Sequence, residues 1–168
     1  MTTPPRSLSR APVLVRLANT LIPALLRLGV PLDNMLLLTV AGRKTGQPRT
    51  TPVGLFKLDG RRDLFSTFGE VNWVRNLRAA GHALLTRGRR REAVGALELS
   101  PEAAAPILQG VFAPYLASPI GRMFAQAWYG VTPHSSPSDF IDVARHHPVF
   151  ALHAPMVWRA ELFEQLAA

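Results

Sequence analysis

The segment Gly42-Arg43-Lys44-Thr45-Gly46-Gln47-Pro48-Arg49 places three cations and two glycines in one short connection between two apolar runs. Those residue types suit an anion. The planar guanidinium fork donates to phosphate or carboxylate bidentately, lysine adds a compact charge, and glycine lets the backbone come close. Thr45, Thr50 and Thr51 add hydroxyl donors. A polar hairpin turn with no ligand accounts for the same composition. The order of glycine, lysine and threonine is not that of a Walker loop. Downstream lies Asn72-Trp73-Val74-Arg75-Asn76-Leu77, in which Trp73 and Asn76 stand one helical turn apart and share a face. A second basic run, Arg87 and Arg89-Arg90-Arg91 around Gly88, reads as a solvated hairpin tip or as a patch meeting an acidic group.

These groups need a scaffold, and the chain is long enough for one. Its 168 residues fit a single domain, expected over residues 11–168 behind a mobile tail at 1–10. With 48% apolar and 18% charged residues it reads as globular. A net charge of +8 favours anionic partners without choosing among them. The absence of cysteine removes disulfides, thiolate metal sites and cysteine nucleophiles. His82, His134, His146, His147 and His153 show no ligand spacing, so no metal is expected. Ser135-Ser136 lack the context of a hydrolase nucleophile. Aromatics are 8% of the chain and are not interleaved with the arginine runs, which argues against nucleic acid. No signal peptide is evident, and the placement expected is cytoplasmic.

Pro12 opens a leucine-striped helix (Leu14, Leu17, Leu21, Leu25, Leu28) that Pro23 kinks and Gly29 and Pro31 end. Arg16, Asn19 and Arg27 exclude a spanning segment. The stripe either packs on the domain or lies on a membrane surface. Strands are expected at 35–40, 49–58, 64–67, 83–87, 92–99 and 149–153, with Asp59-Gly60 as a hairpin turn. Helices are expected at 72–80, from Pro101 to near Tyr115, at 138–146 and at 158–166. Residues 118–138 give no clear element. Short strands joined by tight turns, with helices outside, predict an α+β domain built on a small antiparallel barrel.

The string Leu-Leu-Thr-Val-Ala-Gly-Arg-Lys-Thr-Gly-Gln-Pro-Arg-Thr-Thr-Pro over residues 37–52 resembles the first cofactor-binding hairpin of the deazaflavin (coenzyme F420)-dependent nitroreductase and quinone reductase family. Trp73-Val74-Arg75-Asn76-Leu77 resembles the tryptophan-x-x-asparagine-leucine helix of the same family, in the same order and spacing. Together the two cover roughly residues 35–99. The resemblance implies a split antiparallel β-barrel of the flavin-binding type with flanking helices. It also implies hydride transfer from reduced F420 to a quinone, nitro compound or activated alkene. Arg43, Lys44 and Arg49 would contact the phosphate and acidic tail. Thr51 and Pro52 would line the path of the ring and its ribityl chain. Ser66 and Thr67 would face the cofactor from the end of the next strand, and Trp73 and Asn76 from the helix. Two positions depart from the family pattern. Phe68 stands where relatives carry a lysine, followed by Gly69-Glu70, and Gly54 stands where many carry an aromatic residue.

Hydride transfer needs little acid–base machinery, because the cofactor carries the chemistry. Tyr115 and Tyr129, the only tyrosines, are the candidate proton donors. Two alternatives stay open: a non-catalytic split barrel that binds an anionic cofactor or lipid, and an FMN-dependent oxidoreductase on the same fold. A homodimer is compatible with the resemblance, since barrel relatives often dimerise.

Overall fold

The computed structural model describes residues 34–154. The tail at 1–10, the leucine-striped helix and the segment expected at 158–166 lie outside the described residues, so the expected domain limits go unexamined at both ends.

Among the described residues six strands and four helices follow one another: β1 Met35–Ala41, β2 Pro48–Leu58, β3 Arg61–Phe65, α1 Asn72–Ala80, β4 His82–Arg87, β5 Arg90–Glu98, α2 Pro101–Leu116, α3 Pro119–Tyr129, α4 Pro137–His146 and β6 Val149–His153. All pairings are antiparallel, and the strands close into a barrel in the order β1-β2-β3-β6-β5-β4. This is the small antiparallel barrel of an α+β domain that the short strands and tight turns predicted, and the split barrel that the resemblance implied.

Alternation sorts the side chains. Leu36, Leu38 and Val40 of β1 turn inward with Val53, Leu64, Ala83, Leu85, Val94, Ala96 and Phe150. Trp73, Val74 and Leu77 join that interior from α1, so the helix closes one end of the barrel. Each fully buried aliphatic side chain of this kind contributes on the order of 1.5–3 kcal/mol. α1 stops at Gly81, whose φ of 68° lets its N–H reach back to the Leu77 carbonyl.

A second core forms outside the barrel. Phe65 and Val149 present the outer face of β3 and β6 to Ala104, Leu108 and Phe112 of α2, Ala125 of α3, and Phe140 and Val143 of α4. Asp63 is buried on β3, and neither carboxylate oxygen has a hydrogen-bond partner. The Arg61 guanidinium stays 3.7 Å away. Burial pushes the Asp63 pKa up against the weaker pull of Arg61.

Two expectations are corrected. The third strand runs over Arg61–Phe65, not 64–67. Asp59 and Gly60 both adopt positive φ, giving a two-residue turn that pairs Leu58 with Arg61 at once. The strand ends because Ser66 donates its N–H to Pro148 and its hydroxyl to the Gly69 carbonyl at 2.5 Å, which folds residues 66–69 into a turn. The unread stretch 118–138 contains α3. Ser118 caps it by accepting from the Gly121 N–H, Pro119 opens it, and Gly130 at φ 71° closes it.

Candidate functional site

The connection between β1 and β2 is a six-residue loop, Gly42 to Gln47, held by its own backbone. Gly42 donates to the Gln47 carbonyl at 2.8 Å, and Gly46 donates back to the Gly42 carbonyl at 2.7 Å. Gly46 sits at φ +68°, where a side chain would strain the turn. The loop leans on α1. Asn76, buried in the helix, accepts from the Arg43 backbone N–H at 3.2 Å and from Arg43 Nη1 at 3.0 Å. One amide thereby fixes both the loop and the first of its cations.

Loop and helix enclose an open cleft of about 650 Å³ lined by Gly42, Arg43, Lys44, Thr45, Pro48, Arg49, Thr50, Thr51, Asn72, Trp73 and Asn76. Among the described residues no acidic side chain pairs with Arg43, Lys44 or Arg49. α1 presents its N-terminus here. Its cap residue Val71 makes no side-chain capping bond, and its first turn carries no acid. Three cations, hydroxyls and the positive end of a helix dipole converge on one cavity, an arrangement able to hold an anion.

Six of the nine expected cofactor contacts meet in this cleft: Arg43, Lys44, Arg49, Thr51, Trp73 and Asn76. Trp73 is mostly core, with its ring centroid 5.9 Å from that of Phe150. Pro52, Ser66 and Thr67 do not line it. Pro52 pairs with Leu37 and faces the other side of the sheet from Thr51. Ser66 is buried with its hydroxyl committed to Gly69. Thr67 lies in the turn beyond β3, not at the end of the strand, beside Tyr129, whose phenol pKa it pulls down against the larger effect of burial.

The tyrosines do not reach the cleft either. Burial pushes the Tyr129 phenol up to about 12, and its ring packs against Phe112 at 4.9 Å and His147 at 5.0 Å. Tyr115 borders a different cavity with Asn34, Phe56, Lys57 and Pro114. His147 is partly buried: its Nδ1 lies 3.0 Å from the Ser66 carbonyl, and desolvation lowers its pKa. Reading the sequence missed Asn72 and Pro48 as lining residues. Asn72 stands four residues before Asn76, a helical spacing that could have marked it.

Gly54 and Glu70, in the stretches that depart from the family pattern, each meet a local constraint. A Cβ on Gly54 would meet the Phe56 ring at 3.3 Å. Glu70 is engaged in an ion cluster: Arg78 reaches it at 2.5 Å and Arg75 at 3.6 Å, while Arg78 also holds Glu98. Hydrogen bonds from Arg78 keep the Glu70 carboxyl below its usual range.

The closed six-stranded antiparallel barrel thus carries a cation-lined cleft at its first hairpin. The family model for F420H(2)-dependent quinone reductases matches residues 24–115, more than half of the chain, and the chain belongs to that family. It is accordingly an F420-dependent oxidoreductase, with coenzyme F420 as its cofactor. No curated protein matches it. Solved structures that resemble it include an F420-H2 dependent reductase, FDR-A, at 19% identity, covering 72% of this chain and 95% of that one, with a TM-score of 0.44. A NimC/NimA family protein of Clostridium acetobutylicum is 10% identical, covering 82% of this chain and 88% of that one, with a TM-score of 0.42. An FAD-binding protein of Mesorhizobium loti is 18% identical, covering 81% and 89%, with a TM-score of 0.40. Likenesses this distant carry nothing beyond that description.

Proposed function

We propose that the protein reduces a quinone with F420H2, holding the coenzyme in the cleft between the β1–β2 loop and α1. One observation carries the reading. Among the described residues three cations, a glycine-bearing loop and the N-terminus of α1 border one cavity of coenzyme size, in a chain of this family. Lys44 and Arg49 bind the phosphate and carboxylates of the coenzyme tail, and Arg43, already steadied by Asn76, adds a third charge. Thr51 and Trp73 flank the ring at the inner end of the cleft. The coenzyme, when bound, supplies the hydride. The protein orients it and keeps its anionic tail neutralised. Nothing in this proposal draws a proton from Tyr115 or Tyr129. Nitro compounds and activated alkenes remain secondary acceptors to be compared in the same assay.

The test is a fluorescence titration with F420, followed by oxidation of F420H2 in the presence of menadione. Micromolar binding and menadione-dependent turnover are expected. Binding without turnover on a panel of quinones would reduce the protein to a carrier, and retention of FMN in place of F420 would overturn the assignment.

A further inference from the structure

α3 has its polarity turned inside out. It buries one residue, Ala125, in the outer core. Ile120, Met123, Phe124 and Trp128 are all exposed, the first at 76%. Spaced at i, i+3, i+4 and i+8, they occupy an arc of about 140° on the solvent side of the helix. Trp128 stacks on Phe124 with centroids 5.3 Å apart and planes 6° off parallel. Phe68 extends the patch from the turn after β3, with its ring 6.0 Å from Trp128. Of the seven large hydrophobic side chains exposed among the described residues, only Leu97 lies outside this group and its neighbour Tyr115. A contiguous apolar patch of this kind marks an interaction surface, not ordinary exposure.

We propose that the solvent face of α3, with Phe68, docks on an anionic lipid surface. Charge selects the occupant. The chain carries a net +8, which opposes a second copy and attracts an acidic bilayer. α3 holds no acidic residue that would repel headgroups, and its single charge, Arg122, lies on the side of the helix opposite the apolar arc. An exposed Trp beside Phe, Met and Ile matches the chemistry of the interfacial layer. No helix among the described residues is long and apolar enough to cross a membrane, so the contact is peripheral. Phe68 precedes the cleft residue Asn72 by four positions, at most about 14 Å of chain. Docking therefore brings the rim of the cleft near the lipid.

The experiment is co-sedimentation of the full chain with vesicles of phosphatidylcholine alone and of phosphatidylcholine mixed with phosphatidylglycerol. It needs no coenzyme, so its outcome is independent of the acceptor chemistry. Binding is expected on the mixed vesicles and much less on the neutral ones. The double substitution Phe124→Ser with Trp128→Ser should weaken it at least about tenfold. Ile120→Asp, at the most exposed site, serves as a second variant that leaves the core untouched and should act the same way. Three results overturn the proposal: no vesicle binding, binding that both variants retain, or a dimer in solution that the same substitutions dissolve.

Discussion

Two hairpins of this barrel carry nearly the same ingredients and end differently. The β1–β2 connection has Arg43, Lys44 and Arg49 around Gly42 and Gly46. The β4–β5 connection has Arg87, Arg89, Arg90 and Arg91 around Gly88. The second is richer in charge, yet it is a two-residue turn with Arg87 paired directly to Arg90. The first is six residues long, bonded across itself, and pinned to a helix through Asn76. Cation count does not make a site. A loop long enough to curve, facing an element that closes the other wall, turns the same residue types into a cavity.

That contrast can be broken by measurement. The largest effect is expected from Lys44→Ala with Arg49→Ala. Each should weaken F420 binding by about 1–3 kcal/mol if both hydrogen bond the anionic tail. Unchanged affinity in a folded double variant would make the loop merely structural. Next comes Asn76→Ala, which strips Arg43 of two hydrogen bonds. A loss of about 2 kcal/mol in F420 affinity is expected, with a smaller fall in melting temperature. Gly46→Ala should cost about 1 kcal/mol of stability through its positive φ, read by denaturant titration, and should loosen coenzyme binding as the loop shifts. The smallest effect sharpens the comparison from the other side. Replacing Arg89 and Arg90 by alanine should change F420 affinity by less than about twofold at physiological salt, because exposed charges beyond a Debye length are screened.

A stability measurement separates the barrel from its loops. The Asp63 pKa is raised in the folded state, so its contribution is fully present below the unfolded carboxylate pKa and is lost as pH rises through the folded value. Asp63→Asn removes that dependence. Its melting temperature relative to the natural chain should therefore climb as pH rises above the ordinary carboxylate range. A flat difference would mean that Asp63 titrates normally.

Much of the barrel was legible because its signals are local. Asp59-Gly60 dictates a primed turn, Ser100-Pro101 and Gly81 punctuate helices, and β1 is a buried apolar run. α3 was not legible, although Ser118, Pro119 and Gly130 carry its stop and start signals. Its apolar stripe faces solvent, so the usual inference from periodicity to burial fails there. In the candidate site the cations and Trp73 were legible by type and by resemblance. Ser66, Thr67 and Pro52 fall outside the cleft, because adjacency in sequence does not say which face a strand residue takes, or that a hydroxyl is already spent on a neighbouring carbonyl.

The sequence by itself determined the elements, the positive charge and the chemistry available to the β1–β2 loop, since these follow from residue type and short-range spacing. Only the tertiary structure decided which basic run borders a cavity. That depends on Asn76 meeting Arg43 across 33 residues of chain, a long-range contact that closure of the barrel creates and no local pattern encodes.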